Sequence, residues 1–300
     1  MTTPHQFGGH WTDEKLERLR KYLHAYRQIF SKNPRAKQLR TIFVDAFAGT
    51  GHRQNTPVDA NQTLPLLVDA LPIYDEDATA FQQGSARIAL ETTPPFDHYL
   101  FIERKPAYIA ELERLRQQFP ELAPRITIRQ GEANAALQDW CKSTNWQTHR
   151  AVVFLDPYGM EVTWATIEAL AQTKAIDLWV LFPLGQAVNR ILTRSGPPEG
   201  GWADRLTTFF GTTEWKEAFY RLNPQMSLFD DEASLKKEAT FEQIGAFFLQ
   251  RLATVFPKVA DNPLYLRNRQ NVPIYLFCFA AANEVGAPTA VRIARDILKK

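Results

Sequence analysis

The sequence predicts an α/β fold built on a mostly parallel sheet, and two observations carry that prediction. Five short apolar runs recur between residues 41 and 182, and segments of helical periodicity separate them. The runs are continuous rather than alternating, which is the pattern of strands covered on both faces. A chain of 300 residues, 45% hydrophobic and 23% charged, can bury a full core and is excluded from the disordered class.

Residues 12–30 read as an amphipathic helix. Thr12 suits an N-cap, and Asp13 and Glu14 suit the positive end of the helix dipole. Leu16, Leu19, Leu23, Tyr26 and Phe30 fall at three- and four-residue steps on one apolar face. A basic stretch follows with Lys32, Arg35, Lys37 and Arg40. The strand runs are 41–45, 97–103, 125–129, 151–155 and 176–182. Helices are expected at 106–118, where Pro106 suits a start, and at 164–173.

Two segments interrupt the alternation. Residues 52–83, with Pro57, Pro65 and Pro72, read as a loop-rich insertion ahead of a helical segment at 84–91. Residues 184–260 read as a helical insertion, with helices near 202–210, 213–221 and 237–255 and a turn-rich break at 195–201. The runs 264–267 and 273–279, joined by polar residues 268–271, form a hairpin that should end the sheet in an antiparallel pair. A last helix is expected over 287–298. The expected organisation is an N-terminal helical extension over 1–40 and one α/β domain over 41–300 carrying both insertions.

Composition narrows the function. Cys141 and Cys278 cannot build a disulfide framework, and no Cys-x-x-Cys or metal-spaced histidines occur, so no metal site is expected. The amino terminus lacks an apolar signal core and no stretch approaches a membrane span, so the expected setting is cytoplasmic. No Gly-x-Ser-x-Gly elbow supports a hydrolase. A net charge of +2 allows polynucleotide contact through a local patch, for which residues 32–40, Arg190 and Arg194 are the candidates.

Four signals mark the candidate site. The first strand runs from Phe43 through Asp45 and Phe47 into a turn with Gly49 and Gly51. Glycine there admits positive φ and lets a ligand approach the backbone, at the edge where open α/β sheets bind ligands. Gln54 stands where a dinucleotide fingerprint needs its third glycine, and no phosphate-binding loop follows. The second signal is Glu103, a carboxylate ending a strand and suited to ribose hydroxyls. Gly49 and Glu103 stand 54 positions apart, and taking out residues 52–83 leaves 22, against about 20 in a βαβ unit. The third is the turn after the third strand, where either Glu132 or Asn134 could meet an adenine amine. The fourth is Asp156, Pro157 and Tyr158, followed by Gly159, directly after the fourth strand. Asp156 can accept from an amine, Pro157 stiffens the turn, and Tyr158 can stack on a planar base.

In order and spacing these motifs resemble class I S-adenosylmethionine-dependent methyltransferases. More narrowly, the chain resembles the three-Cys-motif partner (TcmP) family. The matching features are the helix from Leu16 to Tyr26, the run from Val44 to Gly51, Gly84-Ser85, Phe101 to Glu103, Asp156 to Gly159, Tyr275 to Phe277, and Asn283 to Ala290. The resemblance implies a Rossmann-like sheet of seven strands and S-adenosyl-L-methionine as cofactor. It places Asp45, Phe47, Gly49 and Gly51 at the methionine end, Glu103 at the ribose and Glu132 or Asn134 at the adenine. Asp156, Pro157 and Tyr158 would be the catalytic residues facing the substrate. The Asp-Pro-aromatic-Gly order is similar to tRNA guanine-N2 methyltransferases and favours the exocyclic amine of a nucleobase. The family also implies a three-Cys-motif protein as partner. The alternative is a non-catalytic subunit that keeps the fold and binds a nucleotide or a partner. Gln225 to Phe229 resembles the short peptide with which bacterial sliding-clamp partners dock, and makes the clamp a further candidate partner.

Overall fold

The computed structural model describes residues 10–48, 84–222 and 235–299. Gly49, Gly51, residues 52–83 and Gln225 to Phe229 lie outside the described residues.

A long helix, α1 (His10–Lys32), leads into β1 (Arg40–Asp45). The helical segment α2 (84–91) precedes β2 (His98–Glu103). Then come α3 (Pro106–Gln117), β3 (Ile126–Gln130), α4 (Ala133–Ser143), β4 (His149–Leu155), α5 (Trp164–Gln172) and β5 (Ile176–Phe182). A π-turn at Leu184–Val188 opens the next segment, followed by α6 (Asn189–Ile191), α7 (Gly201–Phe210) and α8 (Trp215–Phe219). Two short strands, β6 (Tyr220–Leu222) and β7 (Leu235–Lys237), lead to α9 (Phe241–Val255). The chain ends with β8 (Lys258–Val259), β9 (Leu264–Arg267), β10 (Pro273–Ala281) and α10 (Ala287–Leu298).

The main sheet runs β3-β2-β1-β4-β5-β10-β8, and β9 also pairs with β10. Strands β1 to β5 are mutually parallel, while β10 is antiparallel to β5, with Leu276 opposite Phe182. This is the predicted mostly parallel, Rossmann-like sheet with a terminal antiparallel strand, its outermost place divided between β8 and β9. Asn271, at φ 60°, turns the chain at the β9–β10 hairpin.

Alternate residues of each central strand enter opposite cores, as a period of two requires. Ile42, Val44, Ile102, Val153, Leu155, Val180 and Phe182 face α4, α5 and the segment after β5. Phe43, Phe101, Val152, Phe154, Trp179 and Phe279 face α1 and α10. Leu19, Tyr22, Leu23 and Tyr26 bury the inner stripe of α1 against this second face, with the Tyr22 ring 5.2 Å from Trp179 and 5.0 Å from Phe279. Each such side chain contributes roughly 1.5–3 kcal/mol through burial.

Three local expectations are corrected. Thr12 does not cap α1: the helix begins at His10, and Thr12 is buried on the stripe that continues through Lys15 and Leu19. The ends expected to be helical at 213–221 and 237–255 are instead the β6–β7 pair, with Leu222 opposite Leu235. Helix α9 starts later, at Phe241, because Thr240 and Gln243 form a reciprocal capping box. The chain also rejoins the main sheet before residue 260, since Lys258 and Val259 pair with Ala281 and Ala280.

Candidate active site

Parallel pairing of β1 with β2 and β4 sets Asp45 opposite Phe101 and Phe154. Two further residues along each neighbour stand Glu103 and Asp156. Three carboxylates therefore meet at the carboxyl edge, where open α/β sheets bind ligands. All three are buried.

Asp45 is fixed from two sides. Ser85 Oγ, in the first turn of α2, donates to Oδ2 at 2.7 Å, and the Phe47 amide donates to Oδ1 at 3.3 Å. Burial pushes its carboxyl up to about 7, and the nearby Asp156 and Glu103 charges push the same way. Phe47 itself is core, with its ring in the cluster that holds Ile102 and Leu155.

Glu103 is 1% exposed. Its Oε1 accepts from the Lys105 amide at 2.7 Å. Its Oε2 has no hydrogen-bond partner among the described residues, the one buried carboxylate oxygen of which that is true. Burial raises its carboxyl above the usual range, against the pull of the Lys105 and Arg104 amides.

Asp156 meets a partner absent from the sequence expectations. Lys15 Nζ, 1% exposed, donates to both of its carboxylate oxygens at 3.1 Å. Burial lowers the Lys15 ammonium to about 8, with Asp156 holding it up. Burial raises the Asp156 carboxyl, with Lys15 opposing. The Trp11 ring lies 5.1 Å from Lys15 Nζ and adds a cation–π contact. The readable signal was a lysine on an apolar stripe: Lys15 stands four residues before Leu19 and seven before Tyr22.

The turn after Asp156 is wedged in place. Pro157 is buried and Tyr158 half-buried, with the Tyr158 amide donating to Glu161 at 3.2 Å. A Cβ on Gly159 would lie 4.0 Å from Ala187 of the π-turn, so the two loops stand side by side. That π-turn needs glycine at 185, where a Cβ would lie 2.1 Å from the Pro273 carbonyl oxygen.

The two adenine candidates both serve the fold. Glu132 caps α4, accepting from the Asn134 and Ala135 amides at 2.9 and 2.8 Å. Those bonds hold its carboxyl below the usual range despite partial burial. Asn134 donates to Glu132 and to the Glu161 carbonyl, and accepts from Thr163 N and Thr166 Oγ1. Its amide is thus fully engaged, whereas Glu132 is exposed beside Glu103, whose carbonyl accepts from the Gly131 amide at 3.0 Å.

The basic residues divide between edges. Lys32, Arg35, Lys37 and Arg40 precede or open β1, at the amino edge, with the length of that strand between them and Asp45. Arg190 and Arg194 are exposed just beyond the π-turn, on the carboxyl side. Among the described residues, no group of three or more His, Cys, Asp or Glu is placed to hold a metal, and no helix is long and apolar enough to cross a membrane.

No family model matches the sequence, and no curated protein is similar to it. Solved structures give loose likenesses. Protein LPL1258 of Legionella pneumophila str. Philadelphia 1 is 12% identical over 98% of this chain and 92% of that one, with TM-score 0.44. The spermidine synthase of Thermotoga maritima is 12% identical over 94% of this chain and 62% of that one, at 0.37. The CMeT domain of the citrinin polyketide synthase is 10% identical over 89% and 52%, at 0.36. The chain thus spans less than two thirds of the last two.

Proposed function

We propose that the chain is an S-adenosylmethionine-dependent methyltransferase that acts on the exocyclic amine of a nucleobase in RNA or DNA, and that it belongs with the three-Cys-motif partner proteins. The observation that carries the cofactor reading is the orphaned Glu103 Oε2. A buried acceptor without a donor is costly, and a ribose hydroxyl at the end of β2 would satisfy it. Asp45, Phe47 and the Gly49–Gly51 turn would hold the methionine end, and Glu132, with its exposed carboxylate, is the better of the two adenine candidates.

Bound there, the cofactor supplies a methyl group already activated by its sulfonium. The chain's own residues then mainly align and desolvate. Asp156 would accept a hydrogen bond from the amine and so orient its lone pair for transfer. The Pro157 carbonyl can take the second amine hydrogen. Tyr158 offers a stacking surface for a base extruded from its helix. The proton shed by the methylated nitrogen passes to Asp156 and on to water.

A thermal-shift series with S-adenosylmethionine, S-adenosylhomocysteine and NAD tests the cofactor. The expected result is stabilisation by the first two and not by NAD; no shift with either sulfur ligand overturns the reading. Nucleoside mass spectrometry of RNA and DNA treated with the protein and labelled cofactor tests the target, with N-methylated nucleosides expected.

A further inference from the structure

Lys15 changes which amines the Asp156 site can accept. The lysine touches both carboxylate oxygens at 3.1 Å and is 1% exposed. It cannot easily swing away. Its helix is pinned farther along by Tyr22 Oη donating to Asp177 at 2.7 Å and by Arg27 donating to Thr41 Oγ1 at 2.6 Å. The Trp11 ring stands over the ammonium, and that ring in turn packs 5.4 Å from Tyr275.

A carboxylate offers about four lone-pair directions, and Lys15 fills two. The remaining two can accept from a neutral N–H. An aliphatic amine at neutral pH arrives as an ammonium, and would place a second full positive charge beside Lys15 with one negative charge between them. Like charges this close in a buried site are strongly unfavourable. Glu103 ends the neighbouring strand on the cofactor half, and Asp45, whose charge also acts on Lys15, is in the proposed reading the counter-charge to the cofactor's own ammonium.

We propose that Lys15 is a specificity-determining, positioning residue that reserves Asp156 for neutral planar amines and excludes aliphatic ammonium substrates. This rests on the methyl-transfer reading for the identity of the site, while its charge logic concerns Asp156 alone. Tyr158 and Pro157 suit the same class, a flat base presented edge-on to the carboxylate.

The test uses the full chain, with and without S-adenosylhomocysteine, and ligand-observed NMR with adenosine, cytidine and guanosine as neutral probes and putrescine as the cationic probe. The wild type should bind at least one nucleoside, lose it in Asp156→Asn, and show no putrescine binding. Lys15→Met should gain putrescine affinity by tenfold or more, and Lys15→Arg should keep it excluded. A merely structural role for Lys15 would not create a new cation site. Putrescine binding to the wild type that Asp156→Asn removes overturns the inference, as does a folded Lys15→Met protein with no gain. If Lys15→Met does not fold, Lys15→Gln replaces it and the wild-type arm still decides. Absence of any homocysteine-ligand effect, with the amine pattern as expected, breaks the cofactor reading and leaves the charge selection standing.

Discussion

The two edges of the sheet are bridged by one helix, and they differ in what their polar groups have left to do. At the amino edge, α1 ties itself down: Tyr22 donates to Asp177, Arg27 donates to Thr41 and to the Pro94 carbonyl, and Asp97 accepts from the Thr41 amide and hydroxyl. Arg27, Asp97 and Asp177 each have a protein partner there. At the carboxyl edge, the same helix sends Lys15 against the buried Asp156, and Glu103 keeps one oxygen without a donor among the described residues. Both edges hold a carboxyl pushed up to about 7 by burial, Asp177 at one and Asp45 at the other. A displaced pKa therefore does not tell scaffold from site here. Among buried carboxylate oxygens the hydrogen-bond account does, since Glu103 Oε2 alone lacks a donor among the described residues, whereas the partnerless polar atom at the amino edge is the neutral Tyr26 hydroxyl.

The largest expected effect is at Asp156. Asp156→Asn should cut methyl transfer by about a thousandfold or more while leaving S-adenosylhomocysteine affinity within about twofold, as for loss of a group that aligns the substrate. Both substitutions remove the negative charge that Lys15 pairs with and should destabilise the fold, by up to about 3–5 kcal/mol, Asp156→Ala the more because it also removes the acceptor oxygens. Calorimetry and denaturant melts check the pair, and loss of cofactor-product binding in Asp156→Asn would move Asp156 out of the substrate half.

The two raised carboxyls sharpen the comparison through pH. A carboxyl held near 7 when folded and 3.8 when unfolded stabilises fully below about pH 4, and that contribution is lost as pH rises through 7. For a shift of this size the loss is on the order of 4 kcal/mol per group. Asp45→Asn and Asp177→Asn should each flatten the stability profile between about pH 4 and 7. Only Asp45→Asn should also remove a rise in S-adenosylhomocysteine affinity over the same window, where Asp45 gains the charge that attracts the ligand's ammonium.

Smaller effects separate the edges again. Tyr22→Phe leaves Asp177 without its donor and should cost about 1.5–3 kcal/mol with unchanged ligand affinity. Glu103→Gln should do the reverse, weakening S-adenosylhomocysteine about tenfold to a hundredfold with little change in melting temperature. A stability loss in Glu103→Gln matching that of Tyr22→Phe would make Glu103 scaffold too.

The strands were legible because continuous apolar runs leave few other readings, and the helices because their apolar faces repeat at the right step. What was not legible depended on partners far away in sequence. The stripe on α1 is legible through its apolar members, but nothing local ties Lys15 to Asp156, 141 residues away. A charged residue on a buried stripe was the available clue, since such a group is rarely buried without a partner. Asn134 reads as a free polar group after β3 until the fold brings Glu161, Thr163 and Thr166 to it. The β6–β7 pair stands where helix ends were expected because strand formation follows cross-strand neighbours more than local propensity.

The basic residues give the smallest predicted effect and the cleanest division. Charge counting found two groups without saying which edge each occupies; strand direction settles that. Lys32, Arg35 and Lys37 lie at the amino end of β1, some 17 Å of strand away from Asp45 at about 3.3 Å per residue. Arg190 and Arg194 follow β5 beside the turn that packs on Gly159. If a polynucleotide is drawn to the Asp156 site, each of these two arginines that meets a phosphate should contribute about one unit to the slope of log affinity against log salt. Arg190→Gln with Arg194→Gln should therefore lower the slope by up to about two. Gln at 32, 35 and 37 should leave it unchanged, because charges farther apart than the Debye length of about 8–10 Å are largely screened. The reverse result, with the amino-edge set controlling the slope, would mean that nucleic acid lies along the amino edge, away from the Asp156 site.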